Sequence, residues 1–167
     1  MDGTPELSNA EGYVRQAQAR LEGAGFSWTE EADGFRGVAS RSGFQLTKFG
    51  FWETFFVFRE FEQLDRGSMH AFMREAVKHA FANRTVKLPR GLCAGVATFG
   101  VAVAKRADGA VICAVRSETP PKHWAANEIP VVYDRGARRI HYFERTPVWG
   151  AAYFKGFRKQ IEQFLAP

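Results

Sequence analysis

From Phe51 to Phe61 the chain reads FWETFFVFREF, and few arrangements can hold such a segment. Successive side chains of a strand alternate between faces. Phe51, Glu53, Phe55, Val57, Arg59 and Phe61 then fall on one side, and Trp52, Thr54, Phe56, Phe58 and Glu60 on the other. Both sides are largely apolar, so the middle of the strand is expected to be covered on both faces, by helices, a second sheet or a partner. The excess of Phe also suits a homodimer or protein-partner interface, although burial in a core explains the same residues.

The composition around this segment is that of a folded domain. With 167 residues, 46% of them apolar and 25% charged, the chain lies far from the polar profile of disordered segments. A domain of this size buries roughly two-thirds of its unfolded surface. No repeat, low-complexity tract or linker divides the sequence, so residues 1–167 are read as a single α+β domain. The opening Met1-Asp2-Gly3-Thr4-Pro5-Glu6 lacks the basic and apolar regions of a secretory signal. The longest uncharged stretch, Gly91 to Ala104, is shorter than the roughly 18–20 residues of a membrane helix. A soluble, cytoplasmic chain without membrane contact is the expectation. Cys93 and Cys113 lack CxxC spacing and a matching His pair for zinc, and are read as reduced core thiols.

Turn and cap residues divide the chain into elements. Ser8 with Glu11 forms a capping box ahead of a helix whose Tyr13, Val14, Ala17 and Leu21 share one face, and Gly23 and Gly25 end it. Asp33-Gly34 and Ser42-Gly43 punctuate a β-meander over residues 26–49. After the aromatic strand, Ser68 caps a helix with Phe72, Met73, Ala76, Val77, Ala80 and Phe81 on its core face. Val96–Ala104 and Ala110–Val115 read as a hairpin across Asp108-Gly109, and Ile129–Tyr133 and Arg139–Glu144 as another across residues 134–137. Thr146-Pro147 opens a closing helix with Trp149, Tyr153, Phe157, Ile161, Phe164 and Leu165 inward and Lys155, Arg158, Lys159 and Glu162 outward. Repeated hairpins predict a largely antiparallel sheet of about six to eight strands with three main helices packed against it.

The motifs that would name a chemistry are missing. The sequence has no GxxxxGK[ST] loop, strand-placed GxGxxG, HExxH, EF-hand or deaminase HxE…PCxxC pattern, and no convincing Asp followed by ExK on the next strand. No cofactor and no metal site is implied. Gly91-Leu92-Cys93-Ala94-Gly95 has the form of a nucleophile elbow, but an elbow needs a helix after the nucleophile, and Val96–Ala104 reads as a strand. No catalytic residue is assigned.

A more promising segment is 116–128, polar, aromatic and stiffened by Pro120 and Pro121, where an ordered loop would stand on a rigid scaffold. Arg116, Glu118, Lys122, His123, Trp124, Glu128 and, from the next hairpin, His141 are the candidate pocket or partner-binding residues. The ordinary alternative is a structural connection anchored by Trp124. Charge gives a second set. Residues 1–83 hold 9 Lys/Arg against 12 Asp/Glu, a net −3, and residues 84–167 hold 14 against 6, a net +8. Arg135, Arg138, Arg139, Lys155, Arg158 and Lys159 are the candidate anion-binding residues, beside His141 and Tyr142, while Tyr153 falls on the apolar helix face and reads as core. Without a recognised nucleic-acid-binding motif, nucleic acid is the less favoured partner. The leading reading is a non-catalytic binding or protein-interaction domain; polyanion binding by the basic half is the alternative, and an enzyme of unrecognised class with a site around 116–128 the third.

Overall fold

The aromatic run lies in the middle of a sheet closed over by helices on both faces. In this computed structural model the described residues are 9–45, 50–85, 94–123, 126–146 and 151–167. The elements in chain order are α1 (Ala10–Gly23), β1 (Ser27–Glu30), β2 (Gly37–Gln45), β3 (Gly50–Leu64), α2 (Arg66–Ala82), β4 (Ala94–Ala107), α3 (Gly109–Ser117), β5 (Lys122–His123), β6 (Ala126–Asp134), β7 (Arg139–His141) and α4 (Ala151–Leu165). The strands form one sheet in the order β1-β2-β3-β4-β6-β5, with β7 also on β6. No helix among the described residues is long and apolar enough to cross a membrane.

Alternation along β3 divides its rings between two cores. Phe56 and Phe58 join Phe99 and Val101 of β4 and Tyr133 of β6 under α1 and α4. Phe55 and Val57 face the other way, onto Phe72 and Met73 of α2 and Val111 of α3. Two-sided burial is thus satisfied by helices, and of this strand's large apolar side chains Phe51 stays exposed. Arg59, on a largely buried face, lies 4.7 Å over the Phe35 ring and reaches Glu75 at 2.6 Å, which keeps its stem packed and its charge paired.

The sheet corrects the expected antiparallel hairpin architecture: it is mixed. β1–β2, β2–β3, β5–β6 and β6–β7 are antiparallel, whereas the long central pairs β3–β4 and β4–β6 are parallel. Parallel neighbours need a crossover connection. α2 makes the first crossover and α3 lies in the second, so the described helices number four and not three. The hairpin expected across Asp108-Gly109 does not exist. Asp108 is the extended N-cap of α3, its carbonyl accepts the Val111 and Ile112 N–H groups, and Val111 and Val115 point inward one turn apart. A six-residue apolar run has no periodicity that separates strand from helix.

Smaller corrections follow the same logic. Ser42-Gly43 is not a turn but lies inside β2, paired with Glu53 and Trp52. Asn9 caps α1 by accepting the Gly12 N–H, and Ser8 lies outside the described residues. Asp65, not Ser68, caps α2: its Oδ1 accepts the Ser68 N–H at 2.7 Å. Cys113 is an exposed free thiol and not a core residue, and Cys93 lies outside the described residues. Tyr153 is 40% exposed, while Phe154 takes the buried position on α4; Trp149 lies outside the described residues. The Asp33-Gly34 turn is present, with positive φ at both residues. Near it Gly37 permits a close approach: a Cβ there would stand 2.1 Å from the Trp28 indole.

Tyr13 links three elements in the larger core. It is 1% exposed, stacks on Tyr133 at 3.7 Å between ring centroids, and donates its hydroxyl to the Leu165 carbonyl at 2.8 Å. Burial holds that hydroxyl's pKa far above its ordinary value, so it remains a donor. Tyr13→Phe keeps the stack but removes this donor from a buried carbonyl, and should cost about 1–3 kcal/mol in urea unfolding. A loss indistinguishable from zero would show that the bond does not hold α4 to α1.

Candidate functional site

Four pieces of chain surround a cleft on the α2–α3 side of the sheet. α2 contributes Arg66, Met69, His70 and Met73 from its first two turns, and α3 contributes Val111, Ala114 and Val115. The connection after α3 adds Glu118, Thr119, Pro120 and Pro121, and β6 closes the wall with Glu128 and Pro130. The cavity is about 150 Å³. Its position follows from the parallel sheet: α2 and α3 both pack on one face, and the chain leaving α3 must turn back across their ends to start β5.

The floor is methionine, valine and proline, and the polar groups stand at the rim. Arg66 Nη2 meets Glu118 Oε1 at 2.9 Å, joining the first turn of α2 to the segment after α3. Glu118 also ends α3, its N–H donating to the Ala114 carbonyl at 2.8 Å. The Asp65 carboxylate occupies the positive end of α2, and the Ser68 N–H it accepts draws its pKa below the ordinary value. Glu128 lies opposite Thr98 in the β4–β6 register.

Of the residues singled out in the sequence, Glu118 and Glu128 line this cleft together. Arg116 and His141 do not line it. Arg116 forks onto Glu144 with Nε and Nη2 at 2.9 and 2.8 Å, and its carbonyl accepts the Glu144 N–H. The fork holds the Glu144 carboxyl below the ordinary range and raises the Arg116 guanidinium. This clamp joins the end of α3 to the chain after β7, beside an open groove containing Cys113 and Ser117. His141 is 6% exposed, with no partner at Nε2 among the described residues. Lys122 and His123 form β5, but their side chains, like Trp124, lie outside what is described.

The anion-binding candidates fall into separate groups. Arg135 and Arg138 flank the β6–β7 turn, which Asp134 organises by accepting the Gly136 and Ala137 N–H groups. Arg139 lies on β7. Arg158 is committed to structure: it donates to the Glu144 and Arg145 carbonyls and to Thr146 Oγ1. Lys155 and Lys159 are exposed on α4. Among the described residues no group of three or more His, Cys, Asp or Glu could hold a metal ion.

The sequence reading missed Arg66, Met69, His70, Met73, Val111, Ala114, Val115 and Pro130 as parts of a site. The available signal was the helical stripe of α2, which reads as ordinary core. It also missed Glu53, a 4% exposed carboxylate on β3 that accepts the Thr85 N–H at 3.0 Å. Comparison with protein-family models, curated proteins and solved structures gives no match, so the case rests on the residues themselves.

The buried imidazole makes stability depend on pH. Desolvation lowers the His141 pKa from 6.5, and Arg139 and Arg116 push in the same direction while Asp134 and Glu144 oppose them. The unfolded chain therefore protonates first as pH falls. This contribution is complete above about pH 6.5 and declines from there to the lower folded pKa. His141→Leu should flatten the change in urea midpoint between about pH 7 and about pH 5. An unchanged slope would assign the acid sensitivity to other groups.

Proposed function

We propose that this chain is a binding domain without catalysis of its own, and that its ligand enters the cleft between α2, α3 and residues 118–121. One observation carries the reading: a concave apolar cavity of about 150 Å³ with Arg66, His70, Glu118 and Glu128 gathered at its rim. Apolar walls supply affinity and a few placed polar groups supply orientation, the usual composition of a small-ligand site. Two of those polar groups come from the 116–128 segment, where a rigid scaffold of strands and helices holds a connecting loop. Met69 and Met73 add adaptable surface, because an unbranched thioether fills irregular space and makes favourable contacts with aromatic rings.

A second reading is polyanion binding. The sheet order gives it partial support, because the strands, unlike the helices that cover them, divide between the two halves. β1, β2 and β3 come from the acidic half, and β4, β6, β5 and β7 from the basic half. Arg135, Arg138 and Arg139 stand at the β6–β7 turn and on β7, Lys155 and Lys159 are exposed on α4, and Arg158 is tied to backbone carbonyls.

Each reading has its own test. Ala114 lines the cavity from α3 without being fully buried, so Ala114→Phe should fill the cleft and leave the fold intact. Fragment binding followed by backbone-amide NMR should shift cleft residues in the wild type and be lost in the variant. A wild type that binds no apolar fragment, or a variant that binds equally well, removes the proposal. For the second reading, anisotropy of a labelled single-stranded oligonucleotide should show affinity falling steeply with salt, with a shallower slope in the Lys155→Gln/Lys159→Gln double variant. No binding at low salt ends that reading.

A further inference from the structure

Of the chain's three methionines, Met69 and Met73 both line this one cavity. They stand one helical turn apart on α2, and His70 lines the same cavity three residues ahead of Met73. Helix neighbours at these spacings have Cβ atoms about 5–6 Å apart, and the unbranched methionine side chain has the rotatable bonds to bring its sulfur inward. Gly100 fixes where one sulfur lies, because a Cβ there would overlap the Met73 Sδ. Pro130, which also lines the cavity, is the register partner of Gly100 across β4 and β6. The Met73 sulfur therefore rests on the sheet beside a residue of the cavity wall.

Packing alone does not require sulfur at these positions. Leucine fills nearly the same volume as methionine, and α2 uses Phe72, Ala76 and Ala80 at its other buried positions. What methionine adds is a thioether, a soft donor that selects Cu(I), and imidazole also suits copper. His70 is exposed and makes no hydrogen bond or ion pair among the described residues. The surroundings favour a low ionic charge: the penalty of leaving water rises with the charge of the ion, and the floor of this cavity is methionine, valine and proline.

We infer that the cleft binds a soft monovalent metal ion, Cu(I), held by the Met69 and Met73 thioethers and the His70 imidazole. The inference builds on the binding reading above by naming a ligand for the same site, although donor atoms and not apolar volume carry it. Zn(II) is the discriminating ion, since it takes thiolate, imidazole and carboxylate ligands and finds one imidazole among this set.

Cys93 and Cys113 would compete for the metal, so the test uses the full chain carrying Cys93→Ser and Cys113→Ser, with its fold checked by amide NMR. Cu(I), kept reduced under nitrogen, is titrated in competition with a chromogenic Cu(I) chelator. One equivalent should bind, and the ε-methyl signals of Met69 and Met73 should shift with it, whereas Zn(II) should shift neither. Met69→Leu and Met73→Leu conserve volume. Each, like His70→Gln, should weaken Cu(I) binding by at least about tenfold, the least that loss of an outer-shell partner costs at other metal sites. No Cu(I) binding, methyl signals that stay in place, or an affinity unchanged in both leucine variants overturns the metal site, and the methyl signals decide even where a variant fails to fold. Apolar fragments separate this inference from the reading it builds on. A chain that binds fragments but not Cu(I) loses the metal alone, and one that binds Cu(I) but no fragment loses the organic ligand alone.

Discussion

Two-sided burial of β3 is the constraint on which the rest of this structure depends. Phe56 and Phe58 on one side and Phe55 and Val57 on the other are all at most 2% exposed. Each such side chain contributes about 1.5–3 kcal/mol when taken out of water. A strand apolar on both faces cannot lie at the surface of a two-layer fold, so further layers must lie above and below it, and here both are helical. Once helices occupy both faces, a helix can carry the chain from the end of β3 back to its beginning. The parallel β3–β4 pair therefore accompanies the same aromatic alternation that buries the strand. β4 completes the pattern, with small and apolar residues buried from Ala94 to Ala104.

Much of this was legible because local and long-range signals agreed. The strand at 51–61, the stripe of α2, the inward face of α1 and the 134–137 turn all appear where periodicity and turn chemistry place them. The failures share a physical origin. Asp108-Gly109 has the composition of a tight turn, but Asp is equally at home as a helix N-cap, and only the covering of the sheet by α3 decides between them. Gly43 reads as a break, yet within a strand glycine needs only a partner such as Trp52 across the register. The direction of β4 relative to β3 has no local signature, because hydrophobic alternation is blind to the sense of pairing.

The cleft was half legible for a related reason. A polar, proline-stiffened segment between apolar elements indicates where a loop is held, and Glu118 and Glu128 reached the cavity on that logic. The opposite wall was hidden, since Met69 and Met73 have the spacing of core residues and both are in fact buried. A cavity is what packed surfaces leave where they fail to meet, and no residue type records it. Tyr153 makes the converse point: it falls on the apolar stripe of α4 by spacing, and the adjacent Phe154 takes the core instead.

The charge asymmetry bears on encounter more than on cohesion. Some ion pairs do cross between the acidic and basic halves: Lys105 Nζ meets Glu62 at 2.9 Å, and Arg66 meets Glu118 at the same distance. All four side chains are about half exposed or more, and pairs of that kind contribute between nothing and about 1 kcal/mol. Two such bridges cannot rival the burial of β3, so the fold would survive a more even distribution of charge. A charge split of this kind acts instead at distances where packing has no reach, on the approach of charged partners in general. The Arg66–Glu118 pair stands where these roles meet, because it bridges the halves and also occupies the guanidinium at the rim of the cleft. A pair this exposed adds little to stability, and what it fixes is position: it sets Glu118, whose N–H ends α3 on the Ala114 carbonyl, against the first turn of α2.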